Sequence, residues 1–165
     1  MKRLTGGLCL LFLLAGCRAK TIQTPYPAPP FELTDLSGHK VTLESLKGHP
    51  VMLDFWATWC GPCRISIPLV KKFYEAHKDQ GLQVIGMNVD EDPSGVFAFV
   101  KQFQMTYPVV LAGASSVSED YVVEGIPTFV FIDAQGQIVQ KFEGFNREMV
   151  DAWEYEFQQL SAPAH

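Results

Sequence analysis

An α/β domain, with a mixed central β-sheet flanked by helices, is the fold class this 165-residue chain predicts. Three observations predict it. Short apolar runs of strand length alternate with segments that carry apolar residues at helical spacing. The last two strand runs close as a hairpin across the turn residues Asp133-Ala134-Gln135-Gly136. From Phe31 onward the chain has the length of one domain able to bury its own core.

In chain order, Phe31-Leu33 and Lys40-Leu43 predict an N-terminal β-hairpin around Ser37-Gly38. Val51 to Phe55 is a continuous apolar run interrupted only by Asp54, which reads as a buried strand. Cys63 to Lys78 places Ile67, Val70, Phe73 and Tyr74 at helical spacing, and Pro68 inside it predicts a kink through the lost backbone donor. Leu82 to Val89 reads as a strand, Pro93 to Phe103 as a helix, Pro108 to Leu111 as a short strand and Ser116 to Tyr121 as a short helix. Phe97, Phe99 and Phe103 predict helix packing. Thr128 to Ile132 and Ile138 to Phe142 form the hairpin, and Arg147 to Leu160 is a final amphipathic helix.

The chain opens with Lys2 and Arg3, continues through the apolar stretch Leu8 to Leu14, and reaches Leu14-Ala15-Gly16-Cys17. That is a secretory signal, too short to span a bilayer. Its last four residues resemble a bacterial lipobox, which implies a signal at 1–16 and lipidation of Cys17. Arg18 after it resembles the outer-membrane sorting pattern. An ordinary signal cleaved elsewhere is the other reading. Residues 17–30 hold Pro25, Pro27, Pro29 and Pro30, a composition that extends as a spacer between membrane and the domain at 31–165. The net charge of -5 and the lack of basic clusters argue against nucleic acid.

Trp59-Cys60-Gly61-Pro62-Cys63 carries the chemistry. Cys60 falls where a strand-following loop meets a helix N-terminus. Unpaired N–H groups and the helix dipole there favour a thiolate, so Cys60 is the expected nucleophile. Cys63, shielded in the first turn, is placed to attack the mixed disulfide that Cys60 forms with a substrate. A zinc site would need two more ligands, and neither a second Cys pair nor a His pair among His39, His49, His77 and His165 supplies them, so no metal or other cofactor is expected. A purely structural disulfide closing two residues would remove little unfolded-state entropy.

Asp54-Phe55-Trp56-Ala57, the Cys pair, Pro68 and Gly125-Ile126-Pro127-Thr128 together resemble the thioredoxin fold. The leading hairpin and an extra segment from Asp90 to Val110, a central insertion, are similar to the membrane-attached TlpA/ResA-like thiol-disulfide oxidoreductases. The resemblance covers Phe31 to Leu160. It implies a cis bond before Pro127, exposing Ile126 for pairing with an extended substrate, with Trp59, Gly61 and Pro62 at the substrate surface. Trp56 reads as core. Two departures stand out: Ser66 occupies the place where this group often carries glutamate, and Gly86 the place of thioredoxin's lysine. Asp54 is therefore the expected acid, its pKa raised by burial, positioned to deprotonate Cys63 through a water.

Gly61-Pro62 matches the thioredoxin dipeptide, and thioredoxin is reducing at about -270 mV against about -120 mV for DsbA. The resemblance implies a reductase of protein disulfides on the extracytoplasmic side, periplasmic where an outer membrane exists. A membrane thiol-reducing partner of the DsbD or CcdA type would feed it, and apocytochrome c is a candidate substrate. Three alternatives stand beside it. One is a disulfide-donating oxidase. Another is a thiol peroxidase, whose Pro-x-x-x-Thr/Ser-x-x-Cys pattern fails at Leu53 and Ala57. The last is a Sco-type copper-binding protein, whose cysteines stand one residue further apart.

Overall fold

A computed structural model describes residues 24–161. The signal, Cys9, Cys17, Arg18, the first part of the Pro-rich segment and His165 lie outside the described residues.

Six strands form one mixed sheet: β1 (Tyr26–Pro27), β4 (Val51–Trp56), β5 (Gln83–Asn88), β6 (Val109–Leu111), β7 (Thr128–Ile132) and β8 (Gln137–Glu143), in the order β1-β8-β7-β4-β5-β6. The N-terminal hairpin, β2 (Glu32–Thr34) and β3 (Lys40–Thr42), stands as its own two-stranded ladder. Helices α1 (Gly61–His77), α2 (Val96–Phe103), α3 (Val117–Asp120) and α4 (Met149–Ser161) complete the domain. Strands β4, β5 and β6 are parallel, joined through α1 and α2, while β7 and β8 run antiparallel to their neighbours. This is the mixed sheet with flanking helices that the alternation of apolar runs predicts.

All six residues of β4 are buried because both faces of the sheet are covered. Successive side chains alternate between faces. Met52 and Trp56 join Ile67, Val70 and Phe73 of α1 and Trp153 and Phe157 of α4 in one core. Val51, Leu53 and Phe55 join the opposite core, closed by Phe31, Val41 and Leu43 of the hairpin segment and by Val117 and Tyr121 at α3. The hairpin also screens the open edge of β6: Leu36 N–H donates to Val109 O at 3.0 Å and Asp35 bridges Val110.

The structure corrects two sequence expectations. The Pro-rich segment is not all spacer, since Tyr26 and Pro27 pair with Ile138 and Gln137, Ala28 N–H donates to Gly136 O at 2.9 Å, and Tyr121 Oη donates to Pro29 O at 2.7 Å. Extended proline backbone is compatible with an edge strand, where the missing donor faces away from the ladder. The second correction is Phe97, which is 68% exposed, while Phe99 stacks on Trp56 at 4.8 Å and on Phe103 at 4.3 Å. Residues 99 and 103 are one turn apart on one helix face, and 97 is not on it. Pro68 lies on the exposed side of an unbroken α1, leaving the Arg64 carbonyl without its helical donor.

Gly113, just after β6, passes so close to Asp90 that a Cβ there would overlap its carbonyl oxygen and lie 2.8 Å from its carbonyl carbon. Backbone cannot swing aside as a side chain can. Gly113→Ala is expected to destabilise by about 1–3 kcal/mol, the usual cost of overpacking. An unchanged urea midpoint would contradict this.

Candidate active site

Strand β4 ends at Trp56, and a turn closed by Cys60 N–H donating to Ala57 O at 3.2 Å leads into α1. Cys60 is the N-cap of that helix, and its Sγ accepts the N–H of Cys63 at 3.1 Å. Pro62 occupies the first helical turn, where its missing donor leaves nothing unsatisfied. Cys60 and Cys63 form a disulfide with Cα atoms 5.3 Å apart. Cys60 is 4% exposed and Cys63 fully buried, so an incoming substrate reaches Cys60 first. In the dithiol state the helix N-terminus and the Cys63 N–H stabilise negative charge on the Cys60 sulfur.

The loop ahead of the cysteines is clamped from the inserted segment. Asp90 accepts from Thr58 N–H at 2.9 Å, from Thr58 Oγ1 at 2.8 Å and from Asn88 Nδ2 at 2.6 Å. On the other side Arg64 donates to Thr58 O at 2.7 Å while its guanidinium lies 5.0 Å over the Phe99 ring. Trp59, between these anchors, is 69% exposed, and Gly61 and Pro62 are exposed beside it.

The Ile126–Pro127 bond is cis. Pro127 is buried, and Ile126 is partly buried against the core that contains both cysteines. Thr128 Oγ1 donates to Gly125 O at 2.7 Å and fixes this turn at the head of β7, whose Thr128 pairs with Phe55 near the end of β4. A groove of about 330 Å³ runs between Trp59 and Ile126, walled by Val89 and by the carboxylates of Glu91, Glu119 and Glu124. A larger cavity, about 620 Å³, lies beneath β1 and the Gln135–Gly136 turn and has no cysteine in its lining. The smaller groove has none either, but its lining includes Trp59, the neighbour of Cys60, and Ile126, the neighbour of the cis proline.

Asp54 is 0% exposed and shares its strand face with Met52 and Trp56. Burial raises its pKa to about 7, the hydrogen bond from Tyr107 Oη at 3.1 Å opposing the rise. Its neighbour in register on β5 is Gly86, which brings no cation. Ser66 is buried and donates to Cys63 O at 3.2 Å. Tyr107, Asp90, Thr58 and Arg64 escape the sequence reading. The polar Asn88 and Asp90 ending an apolar strand gave a usable signal for the clamp. Tyr107 gave none, because only the fold brings residues 53 positions apart together.

Residues 23–156 match the Redoxin family. The chain belongs to that family. The thiol-disulfide oxidoreductase ResA of Bacillus cereus (strain ATCC 10987 / NRS 248) is 33% identical over 153 residues, covering 86% of this chain and 88% of that protein. ResA of Bacillus subtilis (strain 168) is 34% identical over 144 residues, covering 87% and 79%. A thioredoxin-family thiol:disulfide interchange protein from Chlorobium tepidum TLS superposes with a TM-score of 0.74 at 27% identity, covering 85% of this chain and 99% of its own. A second Chlorobium tepidum structure reaches 0.80 at 30%, covering 86% and 100%. This Redoxin-family chain is a thiol-disulfide oxidoreductase with a thioredoxin-like fold.

The raised pKa of Asp54 has a consequence for stability. The folded protein holds the Asp54 proton up to about pH 7, the unfolded chain only to about 3.8. The resulting contribution to stability is fully present below about pH 3.8 and is lost as pH rises from there through about 7. The loss amounts to roughly 4 kcal/mol. Asp54→Asn is expected to stabilise the oxidised protein by a few kcal/mol at pH 8.5 and to change little at pH 3.5, read from urea midpoints at the two pH values. An equal effect at both would refute the buried-charge account.

Proposed function

We propose that this protein is a membrane-tethered, extracytoplasmic reductase of protein disulfides. The single observation that carries the reading is the asymmetric pair, Cys60 at the helix N-cap with 4% of its surface open to solvent, Cys63 sealed behind it. In the dithiol form the Cys60 thiolate attacks a substrate disulfide. One substrate sulfur leaves as a thiol after taking a proton, and the other is held as a mixed disulfide with Cys60. Cys63 then loses its proton, through a water, to the Asp54 carboxylate and attacks Cys60. The Cys60–Cys63 bond forms, the mixed disulfide breaks, and the second substrate thiol departs. Two electrons have passed from enzyme to substrate. The turn at Ile126–Pro127 offers backbone for an extended substrate, and the groove beside Trp59 offers apolar surface.

Gly61-Pro62 favours a low potential, hence reduction. Electrons in an oxidising compartment then come from a membrane thiol-reducing partner of the DsbD or CcdA type, and haem-attachment cysteines of apocytochrome c are one substrate class. The lipobox at Leu14 to Cys17 supplies the anchor. No helix among the described residues is long and apolar enough to cross a membrane.

Redox equilibrium against glutathione and dithiothreitol buffers, followed by tryptophan fluorescence, tests the direction. A potential near about -270 mV supports the reductase, and one near about -120 mV makes the protein a disulfide donor. Cys63→Ala is expected to trap substrates as mixed disulfides on Cys60, visible as adducts on non-reducing gels, and Cys60→Ala to trap none. Cys17→Ser is expected to move the protein from the membrane fraction to the soluble one. Retention in the membrane would overturn the lipid anchor.

A further inference from the structure

Tyr107 comes from the segment between α2 and β6, inside the insertion, yet its hydroxyl ends on the buried acid of the central strand. Its ring stands over Gly86: a Cβ at that glycine would lie 3.2 Å from Tyr107 Cε2 and 3.1 Å from both Trp56 Nε1 and Val109 Cγ2. The space where a longer side chain would approach Asp54 from β5 is thus filled by an aromatic ring from another element. The two oxygens of Asp54 are not equivalent. Oδ2 accepts from Tyr107, whereas Oδ1 is buried without a hydrogen-bond partner.

We infer that Tyr107 is the positioning residue of the buried acid, pinning Asp54 Oδ2 so that Oδ1 is the atom that takes the Cys63 proton. The inference rests on the reading of Asp54 as the base for Cys63. Gly86 of β5 and Phe129 of β7 pair with Asp54, Met52 and Trp56 share its strand face, and α1 turns Cys63, Ser66, Ile67 and Val70 toward this core. The titratable groups among these and Tyr107 are Tyr107 itself and the thiol of Cys63, and no lysine, arginine, histidine or second carboxylate is among them. Burial and the neighbouring Asp54 raise the Tyr107 pKa well above its ordinary value, so its hydroxyl stays a donor throughout the working range. A donor to Oδ2 favours the carboxylate and opposes the desolvation that favours the acid. Proton affinity is thereby set low enough for Asp54 to be ionised, and ready to accept, close to neutral pH.

The experiment is a stopped-flow reaction of the reduced full-length protein, in detergent, with an aromatic disulfide whose thiol is coloured. The first phase reports attack by Cys60 and the second reports resolution by Cys63. The second phase in the unmodified protein is expected to rise with pH with a midpoint near 7. Tyr107→Phe should move that midpoint up by about one pH unit, slow the second phase several-fold at pH 7, and leave it near normal well above the new midpoint. A role in packing alone would lower the rate equally at every pH. Replacing Tyr107 by a difluorotyrosine keeps the ring and strengthens the donor, and the midpoint should then move down even if the phenylalanine variant folds poorly. In an Asp54→Asn background, where the step near pH 7 should be gone, neither change should alter the remaining pH profile. A second phase unaltered by Asp54→Asn would overturn the reading of Asp54 as base. Loss of the pH step in Asp54→Asn, with an unmoved midpoint in both Tyr107 variants, would overturn the inference about Tyr107 alone.

Discussion

The active site depends on one continuous path of backbone: β4, buried on both faces, runs without a break in burial to Ala57 and delivers Cys60 to the N-cap of α1. A strand sealed between two cores cannot shift register without exposing apolar side chains, because each residue faces one core or the other. The helix that follows is seated by Ile67, Val70 and Phe73 in the same core that receives Met52 and Trp56. Both ends of the Cys60–Cys63 loop are therefore fixed before any contact specific to the loop is made. The price is Asp54, a carboxylate carried into the interior because its strand position faces inward.

The inserted segment serves both sides of that path. Its first residue, Asp90, gathers three donors and holds Thr58 against the sheet, so the turn bearing Trp59 and Cys60 is anchored through hydrogen bonds to a charged acceptor. Its helix supplies Phe99, which stacks on Trp56 and carries the Arg64 guanidinium on its face. Near its end Tyr107 reaches Asp54. The insertion thus packs against both the Cys60 loop and the buried acid, and Gly113 after β6 permits a close backbone approach beside Asp90.

The groove beside Trp59 is bordered by different elements from those that pack behind the disulfide. Trp59, Ile126 and Val89 border the groove, and Glu91, Glu119 and Glu124 give it a negative rim. The interior behind the disulfide, by contrast, holds Asp54 with its donor Tyr107, and Ser66, whose hydroxyl donates to the Cys63 carbonyl. A serine hydroxyl does not ionise near neutral pH, so Ser66 cannot stand in for an acid at that place, and Asp54 is the carboxylate on this face of β4.

By itself the sequence determined the order of elements, the position of the Cys pair and the interior placement of Asp54. These are local facts: apolar runs of strand or helix length, a Cys pair at a strand-to-helix junction, and one acid inside an apolar run. It also carried enough of its family's motifs to place the Ile126–Pro127 turn. Tertiary structure alone decided which side chains complete the site. Tyr107 on Asp54, Asp90 on Thr58 and Phe99 beneath Arg64 each join residues with no periodic or spacing relation, and such pairings exist only once sheet order brings β6 and the insertion beside β5 and β4. The same holds for Tyr26 and Pro27, whose composition suits a free extended chain equally well. Their place on the sheet is set by the free edge of β8, a partner more than a hundred residues away.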